Sequence, residues 1–309
     1  MYLTRRLSIL GSVALPRLRA ALVRELRLAR WRLAEGRRET LTVKTEQGVF
    51  TVSTRDRALG RDLYYRREHE LGLIRATTAM LRARGLLPPG GRGTVVDVGA
   101  NIGVISIGLL ALGEMERAIA VEPEPGNFAL LRRNVERNGM SDRFHCLQLA
   151  ASDRRGTLEL ELSDINSGDH RIRAGAIEHG GSSDEGQRPR EVISVGADTI
   201  DQILATLPPE VGREVALIWI DVQGHEASVL RGGTRTFSRG TPTVAEIWPL
   251  GLERSGVAQQ EFCALAAEYW SRYWVLRGNR LIGYPISALD SYFDELGEGD
   301  RFGNVVFTR

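Results

Sequence analysis

Lysine is almost absent: Lys44 is the single lysine among 41 basic residues in a chain of 309, and the other basic residues are arginine. This reads as coding bias before chemistry. Cysteine is nearly as scarce. Cys146 and Cys263 cannot build a disulfide framework, and no Cys/His cluster has zinc spacing. The two read as ordinary buried thiols of a reducing compartment, so a cytoplasmic location is expected. No uninterrupted run of about 18 apolar residues occurs, so no membrane-spanning helix is expected. No internal repeat is present. Against these absences, 42% hydrophobic and 26% charged residues exclude wholesale disorder. The length suits one α/β domain with appendages.

Charge is uneven. Residues 1–40 hold ten arginines and three acids, net +7, which leaves −5 for the rest against a total of +2. A mildly acidic body argues against a broad nucleic-acid surface. Thr4-Arg5-Arg6 followed by Leu7-Ser8-Ile9-Leu10 has the look of a twin-arginine leader. Its apolar stretch ends at Pro16 and no small-residue cleavage site closes it, so a cleaved leader is not expected.

Three regions follow from the pattern. Residues 1–40 form a basic amphipathic helical segment, with Leu18, Leu22, Leu26, Ala29 and Leu33 on one stripe of a helix from Arg17 to Ala34. Two readings stand: the leucine stripe packs the helix onto the domain, or residues 1–35 rest on an anionic membrane face or a partner protein. Residues 41–90 read as a β-hairpin around Gln47-Gly48 and a helix over 66–85, ended by the breaker cluster Leu86-Leu87-Pro88-Pro89-Gly90-Gly91. Residues 91–309 alternate strand and helix. Strands are expected at Thr94–Val98, Ala118–Val121, His145–Leu149, Val215–Ile220 and Thr243–Ile247, and helices at Ile102–Leu112, Asn127–Asn138, Thr199–Leu207, Glu226–Phe237 and Phe262–Tyr269. Asp198 is the expected cap of the helix that starts at Thr199. Thr157–Leu162 with Glu191–Val195, and Tyr273–Leu276 with Asn304–Thr308, read as two further strand pairs. The polar, Gly-rich stretch 168–190 reads as a mobile surface loop. Alternation of this kind predicts an α/β, doubly wound sheet.

Val95-Val96-Asp97-Val98-Gly99-Ala100-Asn101-Ile102-Gly103 is a strand, a glycine turn and a helix start. Gly99 allows the chain to leave the strand through a conformation that a Cβ obstructs, and Gly103 allows a ligand or a neighbouring backbone to come close. Asn101 occupies the place of the middle glycine of a Gly-x-Gly-x-x-Gly dinucleotide loop, which counts against a pyrophosphate. S-Adenosylmethionine carries no phosphate and tolerates a side chain there. Glu122 ends the second strand, 19 residues after Gly103. At the carboxyl end of the neighbouring strand an acid accepts both ribose hydroxyls. Asp97 before the turn favours adenosylmethionine over a nicotinamide cofactor. Asn127, Ser152 and Asp153 are further cofactor candidates, Asp153 as an adenine contact. Glu70 is a weaker one on the helix before the boundary, and Ser163–Asp169 reads as a surface loop that can also line the acceptor side.

The chain resembles the FkbM family of S-adenosylmethionine-dependent methyltransferases. Four ordered blocks carry the resemblance: Val96 to Gly103; Val121-Glu122-Pro123-Glu124-Pro125-Gly126-Asn127-Phe128 with Leu131 and Asn134; Ile220-Asp221-Val222-Gln223-Gly224-His225-Glu226 with Val229-Leu230-Arg231-Gly232; and Pro242-Thr243-Val244-Ala245-Glu246. The resemblance as a whole covers about residues 41–250, with a tail to 309. The chain departs at Trp219, where the family often has lysine, and at Gln223, where it often has glutamate, so no step that needs either is carried over. The resemblance implies a Rossmann-like class I methyltransferase fold with a seven-stranded sheet. It also implies O-methylation of a sugar, glycan or natural-product hydroxyl.

Methyl transfer to a hydroxyl benefits from a base beside the acceptor. Asp221, His225, Glu226 and Glu246 stand at strand ends and helix starts on the sheet edge that also holds Gly99 and Glu122. His225 is the first candidate base, Asp221 its orienter or the alternative base, and Glu226 and Glu246 hold acceptor hydroxyls. The plain readings are helix-start acids, a turn cap and ion pairs. Asp221, Glu226 and Glu246 are hard oxygen ligands compatible with a divalent metal, but their spacing does not require one. The alternatives are a non-catalytic binding module and, third, a nicotinamide-dependent oxidoreductase. The expected partner is a small-molecule or glycan acceptor. No Asn-Pro-Pro-Tyr-like motif points to nucleic-acid bases.

Overall fold

The computed structural model describes residues 21–173, 190–208, 211–212, 214–297 and 299–309. The leader-like stretch, Leu18 and residues 174–189 of the Gly-rich loop lie outside them, and so does the mobility expected of that loop.

Residues 21–34 form helix α1. The hairpin pairs β1 (Thr40–Thr45) with β2 (Gly48–Ser53), with Thr45 opposite Gly48. One helix was expected after it; two occur, α2 (Leu59–Arg66) and α3 (Leu71–Ala83). They are separated by left-handed backbone at Arg67 (φ 67°) and Glu70 (φ 52°), which no α-helix accommodates.

Next come β3 (Thr94–Val98), α4 (Val104–Ala111), β4 (Arg117–Val121), α5 (Pro125–Arg137) and β5 (Phe144–Leu147). Glu124 caps α5, accepting from the N–H groups of Gly126 (2.9 Å) and Asn127 (2.5 Å), and Pro125 at the first helical position has no N–H to leave unpaired. A second sheet then forms from β6 (Ala150–Ala151), β7 (Gly156–Glu161), β8 (Arg171–Ile172) and β9 (Val192–Asp198), in the order β6-β9-β7-β8. Thr199, not Asp198, caps helix α6 (Ile200–Ala205), its side chain accepting from Gln202 N. The chain returns to the main sheet with β10 (Val215–Ile220), β11 (Thr243–Ile247), β12 (Arg272–Arg277), β13 (Arg280–Pro285) and β14 (Gly303–Thr308).

The main sheet has eight strands in the order β13-β12-β14-β11-β10-β3-β4-β5. Strands β5, β4, β3, β10 and β11 run parallel, and β14 is inserted antiparallel between β11 and β12. It is an α/β doubly wound sheet with one strand more than the seven expected. The extra strand, β13, reads RLIGYP in the sequence. Its glycine and proline argue against a strand interior, but an edge strand tolerates both. The strand order reverses at β3 and β10, so the loops after β3, β4 and β10 open at one edge, the place where doubly wound folds hold ligands.

Period-two alternation divides the core. Val96, Val98, Ile119, Val121, Ile218 and Ile220 face one side, against helices Glu226–Arg231 and Gln259–Tyr269. Val95, Ala118, Ala120, Leu217 and Trp219 face the other, against α4 and α5. Val43, Phe50, Val52 and Leu63 of the hairpin region belong to that second cluster. The single helix expected over Glu226–Phe237 is broken into Glu226–Arg231 and Thr234–Phe237. At the break, a Cβ on Gly232 would lie 1.9 Å from the Ser152 carbonyl oxygen.

The amphipathic stripe departs from the packing expectation. Trp31, only 1% exposed, docks α1, with its ring 5.6 Å from that of Tyr64. Leu22, Leu26 and Leu33 are 61%, 53% and 60% exposed. The leucine stripe therefore does not pack the helix onto the domain. Among the described residues no helix is long and apolar enough to cross a membrane. Cys146 and Cys263 are free and half-buried rather than buried, and burial pushes both thiols up to about 11.

Candidate functional site

A cleft of about 520 Å³ opens at the switch point. Gly99, Asn101, Glu122 and Asn127 line one side, Asp221, Val222, Gln223 and His225 another, and Leu149 to Ala151 with Ser167, Gly168 and His170 close it.

The glycine turn is built by close approach. Gly99 has φ 83°, and a Cβ there would lie 1.9 Å from the Asp221 carbonyl oxygen, so the ends of β3 and β10 meet only because the side chain is missing. Gly103 (φ 86°) does not face the cleft: a Cβ would meet Leu131 Cδ1 at 2.6 Å, so this glycine seats α4 on α5. Asp97 is also away from the cleft wall. Strand alternation points it under α4, where it accepts from Ser106 N at 3.2 Å. Burial pushes its carboxyl up to about 6.

Glu122 ends β4 in the cleft wall. One carboxylate oxygen accepts from Asn101 N (2.8 Å) and the other from Glu124 N (2.9 Å). Burial nevertheless pushes its pKa up to about 8, opposed by these two backbone donors. Asn101 and Asn127 both donate their side-chain amides to the Ser167 carbonyl, at 2.9 and 3.1 Å. Ser167 in turn donates to Asp56 Oδ2 at 2.6 Å, and Arg57 N donates to Ile165 O at 2.8 Å. The segment Ser163–Asp169 is thus a strap tied to the hairpin region and forms part of the cleft wall.

Ser152 and Asp153 lie behind the wall. Ser152 Oγ is 3.0 Å from His225 Nε2 and donates to Asp153 Oδ1 at 3.2 Å. Burial lowers the imidazole of His225 to about 4, so it is neutral at physiological pH.

On the other side of the cleft, carboxyl groups gather with no cationic side chain paired to them among the described residues. Gln223 donates its amide to Asp221 Oδ1 (2.6 Å) and to Glu246 Oε2 (3.1 Å). Glu226 Oε1 accepts from Val222 N and Gly224 N, while its Oε2 is buried without a partner. Glu70 accepts from Asn304 Nδ2 at 2.8 Å. Burial comes first in raising each acid: Glu70 to about 7, Glu226 to about 7, Glu246 to about 10, and Asp221 above its ordinary value. Repulsion from Asp221 adds to the rise of the three glutamates. Of the four, Asp221 alone lines the cleft; the other three back it. Among the described residues no group of three or more His, Cys, Asp or Glu is arranged to hold a metal ion.

Several participants escaped the sequence reading. Gln223 is the bridge between two acids, signalled only by its place before Gly224 in a turn; it carries a positive φ of 53°. His170 lines the cleft, its Nδ1 accepting from Ser163 N at 3.0 Å. Asn304 reaches Glu70 from 234 residues away, and no local pattern signals such a contact.

The switch-point cleft, with its glycine turn and strand-end acid, lies where doubly wound α/β folds hold ligands. The chain belongs to the FkbM methyltransferase family: the model of the methyltransferase FkbM domain matches residues 97–279. A 2-O-methyltransferase, NoeI, of Sinorhizobium fredii is 30% identical over 151 residues, which are 47% of this chain and 59% of that protein. The methyltransferase sdnD of Sordaria araneosa is 26% identical over 153 residues, 45% of this chain and 59% of that protein. The chain therefore spans somewhat over half the length of these relatives. A solved FkbM methyltransferase of Methylobacillus flagellatus is 20% identical, with 52% of this chain and 34% of that chain covered and a TM-score of 0.35.

Proposed function

We propose that the chain is an S-adenosylmethionine-dependent O-methyltransferase acting on a hydroxyl of a sugar, glycan or natural product. The observation that carries the cofactor is Glu122, a strand-end carboxyl on the cleft wall with lone pairs free beyond its two backbone donors. The donor set fits an adenosine. Glu122 accepts ribose hydroxyls, Leu149 to Ala151 give an apolar surface for a purine, and the Cβ-free Gly99 lets the strand ends close up. No arginine or lysine side chain is among the described residues that line the cleft, which suits a ligand without phosphate.

When bound, the cofactor supplies a methyl group on a sulfonium, which an acceptor oxygen takes in line as the thioether leaves. The chain's own residues position the acceptor and take its proton. Asp221 on the cleft wall, backed by Glu246 and Glu70, is the base. Burial raises its pKa above the ordinary carboxylate value, which makes its carboxylate the stronger proton acceptor. Gln223 fixes the Asp221 and Glu246 carboxyls relative to one another. His225, neutral and engaged with Ser152, orients the turn after β10 and offers a polar edge to the ligand; this leaves the base role with the alternative candidate, Asp221. The acidic side also favours a cationic sulfonium over its neutral product. The name of the relative NoeI supports transfer to oxygen.

Calorimetric titration with S-adenosylhomocysteine tests the cofactor. Micromolar binding to wild type, at least about 30-fold weaker in Glu122→Ala, is expected, since removing an acceptor of ribose hydroxyls costs about 2 kcal/mol. No binding to folded wild type, or binding of a nicotinamide dinucleotide in its place, would overturn the reading.

A further inference from the structure

The outer face of α1 is the strongest feature that the cleft does not use. Its inner face is fixed: Trp31 is buried against Tyr64, Arg27 donates to the Tyr65 carbonyl at 3.1 Å, and Glu35 just beyond the helix pairs with Arg57 at 2.5 Å. At about 100° per residue, Leu22, Leu26, Ala29 and Leu33 share one line on the opposite side from Trp31, and all four are exposed. The line is about 17 Å long at a rise of about 1.5 Å per residue. Arg30 flanks it on one side and Arg32 on the other. Both are exposed, and neither has an ion-pair partner among the described residues.

A row of leucines flanked by Arg30 on one side and by Arg32, with Glu25, on the other has the geometry of a helix lying in a lipid interface. The apolar side chains enter the acyl boundary, and the arginines reach back to the headgroup level. The charge sign selects the lipid: residues 1–40 carry +7 and the remainder −5, so an anionic surface attracts this end and repels the rest. A rigidly docked helix also presents the row without ordering cost. We infer that α1 is a peripheral docking surface for an anionic lipid bilayer, independent of what the cleft binds. The same end of the molecule reaches the cleft through a short series of contacts. Arg57, paired with Glu35, donates its N–H to Ile165 of the strap, and the neighbouring Asp56 holds Ser167.

Co-sedimentation of the full chain with vesicles tests this. Vesicles of phosphatidylcholine with about 30% phosphatidylglycerol are compared with phosphatidylcholine alone. Expected are partitioning at least about tenfold stronger to the anionic vesicles, weakening as salt is raised from about 0.1 to 0.5 M, and a loss of about tenfold or more in the triple variant Leu22→Gln, Leu26→Gln, Leu33→Gln. Circular dichroism confirms the fold of that variant, and Arg30→Gln with Arg32→Gln gives an independent second reading with an untouched apolar row. No binding of wild type to anionic vesicles overturns the inference. So does undiminished binding by the leucine variant, which would leave the charge of the first twenty residues as the whole cause. A dimer in wild type that becomes a monomer in the leucine variant, without vesicle binding, would make a second copy the occupant and overturn it. Vesicle binding that appears only after removal of residues 1–20 would make that segment the occupant and overturn it as well.

Discussion

The two acidic sides of the cleft are built in opposite ways. Glu122 receives one backbone N–H on each oxygen, both from its own strand-turn-helix neighbourhood. Asp221 and Glu246 share one side-chain donor, Gln223, and are backed by Glu70 and Glu226, which raise Glu246 further. The first arrangement is a carboxyl held ready for neutral hydroxyl donors. The second is a cluster of acids with no cationic partner among the described residues. On the proposed function the difference separates two tasks, holding a ribose and handling charge at the reacting end, and each task has its own way of being broken.

The largest effect is expected where the two sides meet. Gly99→Ala places a Cβ against the Asp221 carbonyl, at φ 83°, and is expected to cost about 3 kcal/mol or more and lower Tm by several degrees. Gly139→Ala has a similar φ of 65° but open space around the Cβ, and is expected to cost about 1 kcal/mol. Equal losses in thermal melts would show that the strand ends do not depend on this approach.

Glu122→Ala comes next. Affinity for S-adenosylhomocysteine is expected to fall at least about 30-fold, with Tm nearly unchanged in the ligand-free protein because a carboxyl with an unfavourable burial has been removed. A large fall in Tm with unaltered affinity would reassign Glu122 to the structure of the turn.

On the charged side, pH is the probe. Glu70, Glu226 and Glu246 hold their protons more tightly in the folded chain than in the unfolded one, at about 7, 7 and 10. Their stabilising contribution is complete below about pH 4.5 and is lost as pH rises through those values. Above about pH 6.5 the buried histidines are mostly neutral in both states, so Tm of the ligand-free protein is expected to decline from about pH 6.5 to 9. A rise across that window would contradict the arrangement. Glu246→Gln sharpens the test: it removes the acid with the largest rise, whose destabilising effect accumulates from about pH 4.5 upward, and is expected to raise Tm at about pH 9 by more than at about pH 6.5.

What could be read in advance follows the same division. Gly99, Asn101, Glu122 and Asn127 lie within 29 residues of one another on β3, β4 and the starts of α4 and α5. Strand alternation and turn chemistry placed them on one edge, and the cleft contains all four. Asp97 and Gly103, from the same motif, serve packing instead, because alternation sends Asp97 to the α4 side and Leu131 fills the space beside Gly103. Asp221 and Glu246 were legible as strand-end acids. Their surroundings were not. Gln47, buried in the hairpin turn, exchanges hydrogen bonds with the His69 backbone (2.8 and 2.9 Å) and so fixes the left-handed residue Glu70, which Asn304 meets from the last strand. These contacts depend on how three distant segments pack, and periodicity within any one of them carries no trace of it. The leucines of α1 show a further limit. The 3.6-residue period identified the stripe correctly but not its direction, which a single tryptophan on the opposite face decided.

The most direct test of the division is a paired titration of S-adenosylmethionine and S-adenosylhomocysteine on wild type, Glu122→Ala and Asp221→Asn at about pH 8. Wild type is expected to bind the sulfonium several-fold more tightly than the thioether. Glu122→Ala should weaken both by a similar factor and leave their ratio intact. Asp221→Asn should bring the ratio close to one with little change in thioether affinity. A ratio that survives Asp221→Asn, or that collapses in Glu122→Ala instead, would contradict the assignment of ribose to one side of the cleft and charge to the other.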